Sequence, residues 1–131
     1  MDIKYKDTQS FQADELENLF LSVKWESGRY PKKLVIAMEH SDTVFSAWND
    51  EKLIGLINVL DDGIMTAYIH FLLVDPEYQG IGIGKELLCM LKEKYKDYLR
   101  IVLTSEEDKT GFYQNSGFEL SEAKTMFINR F

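Results

Sequence analysis

Apolar and polar residues change their period several times along this chain, and each change marks an element. Residues 2–6 alternate polar with apolar, as a half-buried strand does. Phe11, Leu16, Leu19, Phe20 and Val23 then recur at helical spacing, with Asp14, Glu15 and Glu17 where acidic groups favour a helix start. Trp25, Glu26, Ser27, Gly28, Arg29 and Tyr30 read as a loop, after which Pro31 opens a second helix carrying Leu34, Val35 and Met38. Strands over 43–48 and 53–59, joined by a turn at Asn49 and Asp50, make a hairpin. Asp61, Asp62 and Gly63 form the next turn, and a longer strand over 65–74 is closed by Asp75 and Pro76. A glycine-rich turn leads into a helix whose apolar stripe is Leu87, Leu88, Leu91 and Tyr95. The apolar run 99–103 reads as a strand parallel to the one before that helix, because a helical crossover joins them. A last helix over 108–115 ends at Gly117, and strands over 118–120 and 125–129 finish the sheet. The pattern predicts an α+β fold, a mixed sheet flanked by helices.

Composition narrows the setting. The chain has 131 residues, 45% hydrophobic and 28% charged, which suits a single domain over 1–131 and leaves no room for two. Apolar stretches such as 53–60 and 69–74 are far shorter than the roughly 20 residues needed to cross a bilayer. The first residues lack an apolar run of the secretory kind, so the expected location is the cytoplasm. Cys89 is the single cysteine; it closes no internal disulfide and has no His at metal-ligand spacing, so no metal is expected. The formal charge is −7, and no basic stripe interleaved with aromatics occurs, which argues against nucleic acid as a partner. The same balance mildly favours a cationic substrate.

The chemistry concentrates in Leu72, Leu73, Val74, Asp75, Pro76, Glu77, Tyr78, Gln79, Gly80, Ile81, Gly82, Ile83, Gly84 and Lys85. Glycines between a strand and a helix allow positive φ and close approach, and the first helical turn offers unpaired N–H groups, a setting suited to a pyrophosphate. A Walker loop fails on spacing, because Gln79 stands where it needs Gly and Glu86 where it needs Ser or Thr. A dinucleotide fingerprint fails because the glycines fall at Gly80, Gly82 and Gly84. The plainer alternative is a glycine-rich turn that binds nothing.

Gln79, two residues, Gly82, one residue and Gly84 resemble the acyl-coenzyme A signature of the GNAT N-acetyltransferases, and the approach from Val74 to Tyr78 is similar too. Phe112, Tyr113, Gln114, Asn115, Ser116, Gly117 and Phe118 resemble the family's second hallmark, an aromatic-Tyr pair followed by Gly-Phe. The resemblance implies a sheet of about six to seven strands with about four helices and a splayed parallel pair that holds acetyl-CoA. It assigns the pyrophosphate to the loop from Gln79 through Gly80, Ile81, Gly82, Ile83 and Gly84 to Lys85, with Lys85 adding charge near the phosphates. It assigns the pantetheine arm to Leu72, Leu73 and Val74, with an N–H near Leu73 or Val74 polarising the thioester carbonyl. Tyr113 matches the residue that protonates the departing thiolate.

The base is a departure, since many members use a carboxylate on or beside this strand and residues 65–73 hold neither Asp nor Glu. His70 takes that place, Tyr78 is a second candidate, and Asp61, Asp62 and Glu26 are more remote ones. In this fold the loop with Trp25, Glu26, Arg29 and Tyr30 borders the acceptor, so it becomes the candidate amine pocket. Cys89 falls on the polar side of its helix, which argues for direct attack in a ternary complex rather than an acetyl-cysteine. The implied reaction moves acetyl to a primary amine of a small molecule, polyamine or peptide; a non-catalytic acyl-CoA sensor is the alternative. Homodimers through the last strands are common in the family.

Overall fold

Five strands lie in the sheet in the order in which they occur along the chain: β1 (Ile3–Asp7), β2 (Thr43–Asn49), β3 (Lys52–Asp61), β4 (Thr66–Val74) and β5 (Arg100–Leu103). The computed structural model describes residues 2–131; Met1, counted in the single domain expected from sequence, lies outside the described residues. The first four strands run antiparallel to their neighbours and β5 is parallel to β4, so the sheet is mixed. Four α-helices accompany it: α1 (Ala13–Ser22), α2 (Pro31–His40), α3 (Ile83–Lys94) and α4 (Thr110–Asn115).

Two cores, one on each side of the sheet, hold the layers together. On one side Leu16, Leu19 and Phe20 of α1 and Leu34 and Met38 of α2 pack on Val44, Trp48, Leu56 and Leu73. On the other, Leu87, Leu88, Leu91 and Tyr95, on or just past α3, cover Ile54, Ile57, Val59, Ala67 and Ile69. Burying each large apolar side chain of this kind contributes about 1.5–3 kcal/mol. Strand β3 is therefore apolar on both faces, which is why Leu53 to Val59 reads as a near-continuous hydrophobic run. A capping box starts α1, in which the Gln12 N–H donates to Glu15 Oε2 at 3.0 Å, and Pro31 occupies the first turn of α2.

The end of the sheet away from the glycine turn is tied by polar groups. The Tyr95 hydroxyl lies 2.6 Å from Thr43 Oγ1 and donates to Asp61 Oδ2 at 2.7 Å. Asp62 accepts the N–H groups of Ile64, Met65 and Thr66, and these bonds hold its carboxyl below the usual range. Both aspartates are thus engaged in closing the β3–β4 turn.

The sheet has five strands rather than six or seven, because the segments expected to finish it form no ladder. Met126, Phe127 and Ile128 are 89%, 78% and 80% exposed, and residues 118–131 meet the end of β5 through a Thr104–Thr125 hydroxyl pair at 3.1 Å. An extended segment with no strand beside it has nothing to repay its ordering entropy, so an apolar run alone does not make a strand.

Candidate active site

The parallel pair opens partway along its length. Residues of β4 and β5 pair from Thr66 and Arg100 to Ile69 and Leu103, where β5 ends while β4 continues to Val74. At the same level β4 carries a bulge: Asn58 faces Phe71 and Val59 faces Ile69, leaving His70 without a partner on β3. The extra residue inverts the strand's faces. Ala67 and Ile69 join the α3 core, whereas Phe71 and Leu73 join the α1–α2 core, although a regular strand keeps i and i+2 on one side.

Beyond the bulge the amides alternate between β3 and the open gap. Phe71 N–H donates to Asn58 Oδ1 at 2.9 Å and Asp75 N–H to the Ile54 carbonyl at 2.8 Å, so the intervening Leu73 also faces β3. Leu72 and Val74 then present their N–H groups to the gap. Of the two amides weighed from sequence, Val74 is the available one, and Leu72 replaces Leu73.

At the end of β4 the chain turns through a short 3₁₀ segment, Pro76–Tyr78, capped by Asp75 Oδ1 accepting from the Glu77 N–H at 3.0 Å. The Gln79 side chain returns to donate to the Val74 carbonyl at 2.9 Å. Gly80 and Gly82 have φ of +83° and +92°, the left-handed region that disfavours other residues, and a Cβ at either would meet nothing within 4 Å. Backbone conformation, not crowding, therefore demands these glycines. Gly82 is the N-cap of α3, and the first helical bond is Glu86 N–H to the Gly82 carbonyl at 3.0 Å. The amides of Ile83, Gly84 and Lys85 thus lack intrahelical acceptors, while the Ile83 side chain is buried and anchors the helix start. Open space, unpaired N–H groups and an exposed Lys85 form a cradle that fits a diphosphate.

The sequence places Tyr113 in α4, and the structure shows what holds it. Gly117 N–H bonds to the Gln114 carbonyl at 3.1 Å and Phe118 N–H to the Tyr113 carbonyl at 3.1 Å, with Gly117 at φ +96°. This is a Schellman stop, completed by the Tyr113 and Phe118 rings meeting edge to face at 5.8 Å. Lys92 Nζ donates to the Ser116 carbonyl at 2.7 Å and ties the short helix to α3. The Phe112 ring lies against Gly84, where an added Cβ would come within 3.6 Å of it. Tyr113 is half-buried, and desolvation raises its pKa above the ordinary 10.0, so the hydroxyl keeps its proton at neutral pH.

His70 projects from the bulge with its ring stacked on Phe71 at 3.9 Å. Although the residue is exposed, these neighbours partly desolvate the imidazole and lower its pKa from 6.5, which keeps it neutral at pH 7. The loop expected to border the acceptor is close by: Trp25 packs on Phe71 at 5.9 Å and on Phe20 at 6.0 Å. Tyr78, by contrast, accepts a hydrogen bond from Asn49 at 3.1 Å and lies under Lys52, so its hydroxyl serves the β2–β3 hairpin. Glu26 pairs with Arg29 at 3.2 Å on the exposed side of the loop. Tyr30 meets Phe131 at 5.8 Å, and with Arg29, Pro31, Lys32 and Lys33 it lines a shallow cavity of about 320 Å³. Lys32 and Lys33 are not singled out in the sequence, where no motif marks them.

Gly28 fixes the loop to α1, since an added Cβ would lie 2.8 Å from Leu21 Cδ2 and 3.0 Å from the Leu21 backbone nitrogen. Gly28→Ala is expected to destabilise the protein by about 1–3 kcal/mol through overpacking. Thermal melts of the variant beside the wild-type protein would show it.

The sequence profile described as an acetyltransferase (GNAT) domain matches residues 11–128. An uncharacterized N-acetyltransferase of Porphyra purpurea, ycf52, is 32% identical over 123 residues, covering 89% of this chain and 70% of that protein. GCN5-related N-acetyltransferase 1, chloroplastic, of Arabidopsis thaliana is 28% identical, over 86% of this chain and 59% of its own length. Among solved structures, a GNAT-family acetyltransferase from Streptococcus pneumoniae TIGR4 superposes with a TM-score of 0.85 at 27% identity, covering 98% of this chain and 99% of that one. A second structure, from Deinococcus radiodurans R1, superposes with a TM-score of 0.83 at 27% identity, covering 98% of this chain and 89% of that one.

Proposed function

The chain belongs to the GNAT acetyltransferase family, and we propose that it moves an acetyl group from acetyl-CoA to a primary amine by direct attack in a ternary complex. The observation that carries this reading is the coincidence of two features at one place. The parallel pair stops at Ile69 and Leu103, and the strand that runs on leads straight into the left-handed glycine turn. A strand edge bare of its neighbour suits an arm bearing amides, and the turn suits a diphosphate.

When bound, acetyl-CoA supplies an activated acetyl thioester. The amides of Ile83, Gly84 and Lys85 hold the diphosphate at the start of α3. Leu72 and Val74 donate N–H groups along the gap, and one of them polarises the acyl carbonyl. His70, neutral at pH 7, takes a proton from the incoming ammonium, and Tyr113 holds the proton that the leaving sulfur requires. The Trp25 loop, resting on Phe71 beside His70, forms one wall for the acceptor. Cys89 is exposed on α3 and takes no part.

The decisive assay supplies acetyl-CoA with a panel of alkyl amines, aryl amines, polyamines and lysine peptides, and follows free thiol. Thiol release that requires both an amine and the protein is the expected result. Calorimetric binding of acetyl-CoA with no turnover on any member of the panel would instead make the chain an acyl-CoA sensor.

A further inference from the structure

From Leu53 to Val59, β3 is buried throughout, and Asn58 is the polar side chain in an otherwise apolar run. At 1% exposure its amide costs free energy unless both ends are bonded. Both are. Oδ1 accepts the Phe71 N–H at 2.9 Å, and Nδ2 donates to Ser41 Oγ at 3.1 Å. Ser41 Oγ donates in turn to the Ala37 carbonyl of α2 at 2.8 Å.

This short chain of bonds ends on one backbone group of β4, and that group follows the unpaired residue of the bulge. A leucine, with the same branching of heavy atoms, would supply apolar contact without the desolvation cost, so burial alone does not account for an asparagine here. What the amide supplies is a fixed acceptor for Phe71. Were the bulge to slide along β4 by one residue, the Phe71 N–H would leave Asn58 and a buried oxygen would lose its donor.

We propose that Asn58 is a positioning residue for acetyl transfer: by tying Phe71 to α2 through Ser41, it fixes the bulge at His70 and thereby the aim of the imidazole and of the Leu72 and Val74 amides. The inference rests on the acetyl-transfer reading above, because only that reaction gives the bulge its work. Asn58 touches neither the acceptor nor the glycine turn and acts through the backbone of β4.

The test compares Asn58→Leu, Asn58→Asp and Ser41→Ala with the wild-type protein. Asn58→Leu should keep its circular dichroism and bind CoA normally in calorimetry, yet lose on the order of 10²-fold in kcat, the cost of a misplacement near 1 Å. Asn58→Asp keeps an oxygen for Phe71 and should recover most of that loss. Ser41→Ala removes only the anchor of Nδ2, and should lower kcat by less than Asn58→Leu does. Amide hydrogen exchange gives the structural arm: Phe71 should lose protection in Asn58→Leu while Leu56 and Leu73 retain theirs. A wild-type kcat in Asn58→Leu, or unchanged protection at Phe71, would overturn the inference with the acetyl-transfer reading intact. Should Asn58→Leu fail to fold, Ser41→Ala decides, and an unchanged kcat there overturns it. A wild-type protein that acetylates no amine would overturn the functional reading and this inference with it.

Discussion

Replacing Tyr113 by phenylalanine is expected to lower kcat by about 10²- to 10³-fold while leaving acetyl-CoA affinity intact, the signature of a lost general acid. The separation follows from the way α4 is built. The Schellman stop at Gly117 and the ring contact with Phe118 involve the backbone and ring of Tyr113, which phenylalanine retains. The cradle at the start of α3 is a different segment that shares only the Phe112 contact at Gly84. Because burial raises the Tyr113 pKa above 10.0, its hydroxyl stays protonated across the physiological range, and the wild-type rate should show no alkaline decline below pH 10 from this group. Single-turnover rates and calorimetric titrations with the variant separate the two effects. An unaltered kcat would remove Tyr113 from the reaction.

The second large effect is expected at His70. Its pKa lies below 6.5, so the base is neutral and competent above that value and loses activity as pH falls through it. At saturating acceptor, log kcat should therefore fall on the acid side with a midpoint below pH 6.5. His70→Ala should abolish that limb and depress the neutral plateau by about 10²- to 10⁴-fold, with partial recovery on adding free imidazole. The acid limb must be read in kcat, because kcat/KM also carries the ionisation of the amine itself. If the limb survives in His70→Ala, the proton goes elsewhere, and Glu26, paired with Arg29 on the adjacent loop, becomes the group to replace.

The parts that could be read in advance are those where local chemistry decides. Gly80 and Gly82 are legible because only glycine sits easily at positive φ, and the helix that follows announces itself through Leu87, Leu88 and Leu91. Gly117 reads correctly as a helix stop, although its role with Phe118 in seating Tyr113 needed the bond pattern. The bulge was hidden for a physical reason. Both faces of β4 are covered on either side of it, so His70, the polar residue between Ile69 and Phe71, reads as an ordinary strand position and does not by itself announce the change of phase. The available signal lay on the neighbouring strand, in the asparagine at position 58.

Tyr78 and Leu73 illustrate a different limit. Proximity in sequence to the glycine turn made both attractive, but the β2–β3 hairpin takes the Tyr78 hydroxyl and the ladder takes the Leu73 amide. The last strands failed for want of a neighbour: Met126, Phe127 and Ile128 have strand composition, and no strand among the described residues runs beside them.

The inverted faces of β4 depend on residue 70 staying outside the ladder. Drawing residue 70 into the ladder would let the two strands zip up regularly, and the zipped form would carry the wrong side chains to each layer. Phe71 and Leu73 would turn toward α3, and Leu72 and Val74 toward α1, exchanging the wall beneath the Trp25 loop for the wall beneath the glycine turn.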